Sequence, residues 1–232
     1  MPKANYGIDA PTVLRNLAIA GFLGIGSGLV LLHYSHPWGR ALLSPGLGFT
    51  FGALLMLWSS LVGKFRTRDR LLNAVPWRGD ERVLDVGCGH GLMLIGAAKR
   101  LTSGRAIGID IWQSVDQASN SADATRRNAE LEGVADRIEI RDGDARKIPF
   151  DDASFDVIVS SLAIHNIYDA TEREQALREI ARVTKPAGHV AIADIRHGRE
   201  YAKFFASNGF TIVRNAIDPL YIFQTRTVVA RK

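Results

Sequence analysis

From Arg82 onward short apolar runs alternate with amphipathic stretches, and no other feature of the chain restricts its fold as strongly. Strands are predicted over 82–87, 105–111 and 137–144, over a run from 155 that passes into a loop by 167, and over 188–195. Helices are predicted over 91–101, 121–133 and 171–185. Short apolar strands separated by amphipathic helices imply parallel βαβ units covered on both faces. Right-handed crossovers then put a ligand at the carboxyl ends of the strands. The end of the chain differs: a helix over 201–210 precedes strands over 210–217 and 220–232. Only Asp218-Pro219 separates those strands, too few residues for a crossover, so they should pair antiparallel.

The first crossover begins with "DVGCGHG", residues 85–91. A glycine-rich turn between strand and helix brings a ligand close to backbone N–H groups and to the positive end of the helix dipole. A dinucleotide loop would want glycine at 92, where the chain has Leu92, and the G-x-x-x-x-G-K-[ST] phosphate pattern is absent. Asp85, read as standing at the mouth of the loop, would repel a pyrophosphate and suit a cationic ligand. The net charge of +5 lies wholly within residues 1–82; residues 83–232 carry equal numbers of basic and acidic side chains. A domain that neutralises a nucleic-acid backbone should itself be basic, so nucleic acid is not expected as a partner. Cys88 is the only cysteine, and the six histidines show no metal-ligand spacing, so neither an internal disulfide nor a metal site is expected.

Over residues 76–232 the sequence resembles the class I S-adenosylmethionine (SAM)-dependent methyltransferases, through an ordered set of motifs: "VLDVGCGHG", "AIGIDI", "RDGDARKIPFDDASFDVIVSS" and "LREIARVTKPAGH" followed by "VAIADI". The resemblance implies an α/β, Rossmann-like, doubly wound seven-stranded sheet of order 3-2-1-4-5-7-6, its last strand pair antiparallel, preceded here by two apolar helices. It implies SAM as cofactor, a ligand with a sulfonium, an ammonium and no phosphate. The implied cofactor residues are Asp85, Gly87, Cys88, Gly89, Gly91, Asp110, Ile111, Gly143, Asp144, Ala145 and Ser160. Among these, Asp110 would accept the ribose hydroxyls, Asp144 would receive the adenine amino group, and Ser160 or Ser161 would meet the methionine end. "KPAGH" departs from the pattern by having Ala187 where many relatives have a second glycine. The loop "WQSVDQASNS" is longer than usual, and Trp112 could cover the adenine, enclose a substrate or simply pack.

In this resemblance His165, in "SSLAIHNI", lies where acceptor-facing residues occur, and imidazole suits a general base near neutral pH. It could equally shape the loop by hydrogen bonding. No N-P-P-Y-type stretch follows the fourth strand, which argues against base or glutamine methylation and leaves small-molecule, lipid-like or peptide acceptors open. Quinone and prenol acceptors fit the pattern. A carboxylate acceptor, including a peptide terminus, and a non-catalytic SAM-binding scaffold are the alternatives.

Before this domain, residues 17–32 and 41–63 pass without a charge. Ser44-Pro45 reads as an N-cap and first helical residue, so the second helix should run from Pro45 to Gly63, long enough to span most of a bilayer's hydrocarbon core. The pairs Gly24/Gly28 and Gly48/Gly52 could let two such helices approach closely. The division expected is a hairpin over 1–63, crossing the membrane through 13–63, a basic linker over 64–75, and a catalytic domain over 76–232. The run "KFRTRDR" would hold the catalytic domain on the cytoplasmic side. Burial of the helices on the domain or in a homo-oligomer is the competing arrangement, and a secretory signal peptide fits poorly because a second apolar run follows the first.

Overall fold

β1 (Arg82–Val86) pairs in parallel with β2 (Arg105–Asp110) on one side and β4 (Phe155–Ser161) on the other, and all but its first residue are buried. The computed structural model describes residues 3–112, 121–218 and 224–232. They fall into two compact units, Ile8–Lys64 and a second made of the residues up to Gly7 together with Phe65–Lys232.

In the second unit β3 (Ile138–Asp142), β5 (Thr184–Asp194), β6 (Thr211–Ile217) and β7 (Arg226–Arg231) complete a sheet of order β3-β2-β1-β4-β5-β7-β6. β7 is antiparallel to β5 and β6, as the short connection requires. The start of the strand expected over 220–232 lies outside the described residues. On one face Val83, Val157, Val159 and Ala191 pack with α4 (Leu92–Ala98) and with Leu71 and Leu72 of α3 (Lys64–Leu72). On the other, Leu84, Ile158 and Ile192 pack with α6 (Ala170–Val183) and α7 (Gly198–Ser207). Continuous burial along β1, in place of alternation, is what a central parallel strand covered on both faces produces. The "KPAG" segment is part of β5. Ala187 there has φ 62°, a left-handed conformation that costs an alanine energy and a glycine little.

In the first unit α1 (Pro11–His33) and α2 (Gly39–Trp58) form a hairpin, followed by a π-helical turn over Ser59–Gly63. α2 begins six residues before Pro45, which lies inside it. The earlier start is possible because Gly39 meets α1 without a side chain: a methyl group there would stand 2.6 Å from Leu32 Cγ. That start sets the register. Gly46 lies against Gly24, where a Cβ on Gly24 would come within 2.8 Å of Gly46 Cα, and Gly28 lies against Leu43. Gly48 and Gly52 face open space, so the expected pairing of Gly48/Gly52 with Gly24/Gly28 is replaced by one through Gly46. At the open end of the hairpin Asp9 N–H donates to Ser60 Oγ at 3.0 Å, and the buried Lys64 ammonium lies 3.6 Å from the Asp9 carboxylate. The segment expected as a basic linker is helical, and its charges are engaged within the chain. Arg68 pairs with Asp69 at 2.8 Å and Arg70 with the buried Asp218 at 3.0 Å.

Candidate active site

The carboxyl ends of β1, β2 and β3 bring the cofactor residues expected from sequence to one edge of the sheet. After β1 the chain turns through Gly87 (φ 73°), Gly89 (φ 48°) and Gly91 (φ 85°), conformations that side chains other than glycine rarely adopt. A methyl group on Gly87 would overlap the Ala163 side chain, so this loop lies directly against the residues that follow β4. Gly87 and Cys88 both donate their N–H groups to the Ile109 carbonyl. Gly89 N–H donates to Asp110 Oδ2 at 2.9 Å, and Trp112 N–H to Asp110 Oδ1 at 2.7 Å. Asp110 therefore ties the loop to the end of β2.

Asp85 does not stand at the mouth of the loop. As part of the interior strand β1 it is 1% exposed, and neither carboxylate oxygen has a partner in hydrogen-bond geometry among the described residues. Burial pushes its pKa up to about 8, the Leu94 amide opposing and the Asp110 carboxylate adding to the rise. A buried acid left this way is costly when ionised unless positive charge arrives. The cation suggested by the sequence therefore fits, with the carboxylate beneath the loop. Cys88 gives the site only its backbone: its thiol is buried against Gly108, where a Cβ would stand 2.8 Å from Sγ, and burial, then Asp85 and Asp110, raise it far above the ordinary thiol range.

Ile111, half exposed, follows Asp110 at the open edge. Gly143 N–H donates to the Asp110 carbonyl at 3.1 Å, placing the turn after β3 beside β2. Asp144 accepts from Arg146 through both oxygens, at 2.6 Å to Oδ2 from the guanidinium, which holds its carboxyl below the usual range. Ala145 packs on the core. The buried Ser160 hydroxyl donates to the Val86 carbonyl at 2.8 Å and fastens β4 to β1. Trp112 donates from its indole to Asp142 at 2.6 Å and packs against the core. The rest of its long loop, residues 113–120, lies outside the described residues.

A second group of side chains stands at the ends of β4 and β5. His165 is 15% exposed, and its Nδ1 lies 2.6 Å from Asp194 Oδ1, off the line of the ring N–H. Asp194, 1% exposed, also accepts from His165 N–H at 3.0 Å, from Ile195 N–H at 2.8 Å and from the Tyr201 hydroxyl at 3.2 Å. Burial, reinforced by Asp194, raises the Tyr201 phenol above its ordinary range, so it stays a donor. His165 thus does two things at once: its backbone N–H anchors the loop while its ring is left partly open. Sequence reasoning missed Asp194 and Tyr201. The available signal was the acid ending "HVAIAD", at the same strand end as Asp110 in "AIGID".

Residues 84–192 match the family described as methyltransferase domain. The chain is 31% identical to a demethylmenaquinone methyltransferase of Lactobacillus johnsonii over 68% of its own length and 65% of that protein. It is 34% identical to the 27-O-demethylrifamycin SV methyltransferase of Amycolatopsis mediterranei, covering 56% of this chain and 44% of that one. With the chloroplastic 2-phytyl-1,4-beta-naphthoquinone methyltransferase of Arabidopsis thaliana the identity is 32%, over 57% and 49%. The chain spans about half the length of the curated relatives it matches. A SAM-dependent methyltransferase from Aquifex aeolicus shares the fold, with a TM-score of 0.59 at 21% identity over 74% of this chain and 92% of that one.

Proposed function

We propose that the chain, whose residues 84–192 match the methyltransferase domain family, binds SAM and methylates a small lipophilic acceptor, held at a membrane by residues 13–63. The observation that carries the reading is the buried Asp85 carboxylate beneath three left-handed glycines, a site made for a cationic ligand that touches bare backbone. Gly87, Gly89 and Gly91 admit the cofactor, Asp110 takes its ribose hydroxyls, Ile111 and Ala145 border the adenine, and Asp144 receives the adenine amino group. When bound, SAM supplies an electrophilic methyl group on a sulfonium. What the protein adds is alignment and exclusion of water, worth several kcal/mol of barrier.

An acceptor that arrives as a neutral phenol or hydroxyl must lose a proton. His165 would take it on Nε2, with Nδ1 turned toward Asp194. Asp194 is thus a positioning residue. Relatives named for menaquinone and phytyl-naphthoquinone methylation support a quinone- or prenol-type acceptor.

The membrane reading is supported by α1 and α2, both long and apolar enough to cross a bilayer. At 1.5 Å per residue they are roughly 35 and 30 Å long, against a hydrocarbon core of about 30 Å. Their large side chains point outward, Phe22 77% and Phe51 67% exposed. Hydrocarbon would cover them without further protein. Lys3, Arg15 and the basic run after residue 63 favour cytoplasmic termini and a cytoplasmic catalytic domain.

Carbonate washing of membranes from cells making the full chain tests the reading. The chain and a SAM-dependent activity toward endogenous lipids are expected together in the pellet, with the activity absent from a Gly87→Val control. A chain released into the wash as a soluble monomer would refute the anchor, and label in soluble metabolites alone would refute the lipophilic acceptor.

A further inference from the structure

α5 (Ala122–Leu131) lines the back of the glycine loop, and two of its buried polar residues hold loop carbonyls. Thr125 Oγ1 donates to the Gly89 carbonyl, and Asn128 Nδ2 donates to the His90 carbonyl at 3.0 Å. The peptide bonds are trans, so the His90 N–H, on the far side of the peptide whose carbonyl meets Thr125, points away from α5. The helix thereby fixes the orientation of the Gly89 and His90 peptide groups in the loop.

Asn128 is engaged on its other side as well. Its Oδ1 accepts from Asn5 N–H at 2.8 Å and its Nδ2 donates to the Asn5 carbonyl at 2.8 Å. The N-terminal strap is fastened by its neighbours too: Tyr6, 5% exposed, donates to Glu132 at 3.2 Å and stands edge-on to Phe65 at 5.5 Å between ring centroids. A single buried amide, 3% exposed, thus joins the backbone of residue 5 to the backbone of the cofactor loop, more than eighty residues away in sequence. Nothing in methyl transfer itself requires the strap, yet it completes the hydrogen bonding of a residue that orients the loop.

We propose that Asn128 is a positioning residue for SAM binding and that the N-terminal strap acts through it, so that cofactor affinity depends on Asn5. The inference rests on the assignment of the glycine loop to SAM. Calorimetric titration of SAM into the full-length protein tests both. Asn5→Pro removes the strap's donor, together with the Asn5 Oδ1 that accepts from Gly7 N–H, and is expected to raise Kd roughly fivefold, the effect of about one hydrogen bond. Asn128→Ala should raise it roughly tenfold, with the KM for acceptor unchanged. Asn128→Asp, which can still accept from Asn5 but can donate to neither carbonyl, should behave like the alanine variant. The double variant Asn5→Pro/Asn128→Ala should bind no more weakly than Asn128→Ala alone, because both changes break the same link. An unchanged Kd in Asn5→Pro, or two effects that multiply in the double variant, would overturn the inference. If Asn128→Ala does not fold, hydrogen exchange in Asn5→Pro decides: faster exchange of the Gly87–Gly91 amides supports the coupling, and unchanged rates refute it. A Gly87→Val control that still binds SAM normally would instead remove the cofactor assignment beneath it.

Discussion

Replacing His165 with Ala is expected to lower kcat by roughly 10²–10³-fold, the ordinary loss when a general base is removed, with SAM affinity within about twofold of the original. Asp194→Asn should keep the bond from His165 N–H, since the amide oxygen still accepts, but remove the charge 2.6 Å from Nδ1. A loss of roughly ten- to a hundredfold in kcat follows, again with SAM binding intact. Tyr201→Phe leaves the charge in place and should cost no more than a few fold. Steady-state kinetics beside calorimetry separate these effects from damage to the cofactor site. Full activity in His165→Ala would assign an acceptor that arrives already ionised, such as a carboxylate, and would leave the His165–Asp194 pair without a part in proton transfer.

The second large effect lies in the cofactor loop. Gly87→Val meets both a φ of 73° and the Ala163 side chain, and should reduce SAM affinity by about a hundredfold or more. Asp85 adds a pH dependence whose sign is fixed by its raised pKa. Without ligand the folded protein holds the Asp85 proton up to about pH 8, whereas the unfolded chain releases it near the ordinary aspartate value of 3.8. Between those values the folded state binds more protons, so this group makes stability fall as pH rises, and the fall ends above pH 8. A cationic ligand favours the ionised carboxylate, so SAM binding below pH 8 should release a proton. Affinity should strengthen with pH by up to about tenfold per unit and level off above pH 8. Asp85→Asn should abolish the slope. Titrations in buffers of different ionisation enthalpy check the proton release.

The sheet was readable because each element needed only local information. The apolar strands, the helices between them and the two-residue connection at Asp218-Pro219 are written in consecutive residues. What escaped depended on segments distant in sequence. Pro45 is a good first helical residue in isolation, but the pairing of Gly39 with Leu32 across the hairpin starts α2 earlier and puts Gly46, not Gly48, against Gly24. The Ser160 hydroxyl donates to the Val86 carbonyl of the neighbouring β1, 74 residues away in sequence, a contact no local pattern announces. Asp85 reads as standing at the mouth of the loop because the strand order does not reveal that its carboxyl is packed inside, beneath the loop. Asp194, Tyr201 and the Asn5–Asn128 contact join residues whose meeting is a product of the fold, and no spacing pattern announces them. Trp112 resolves toward packing, held by Asp142.

The most direct measurement supplies methyl-labelled SAM to the purified full-length chain with a membrane lipid and quinone extract, then identifies the labelled product. Label is expected on a lipid-soluble phenol or hydroxyl, absent with Gly87→Val and strongly reduced with His165→Ala. SAM that binds with its label never leaving it for any component of the extract would contradict methyl transfer to a lipophilic acceptor and identify the chain as a binding scaffold.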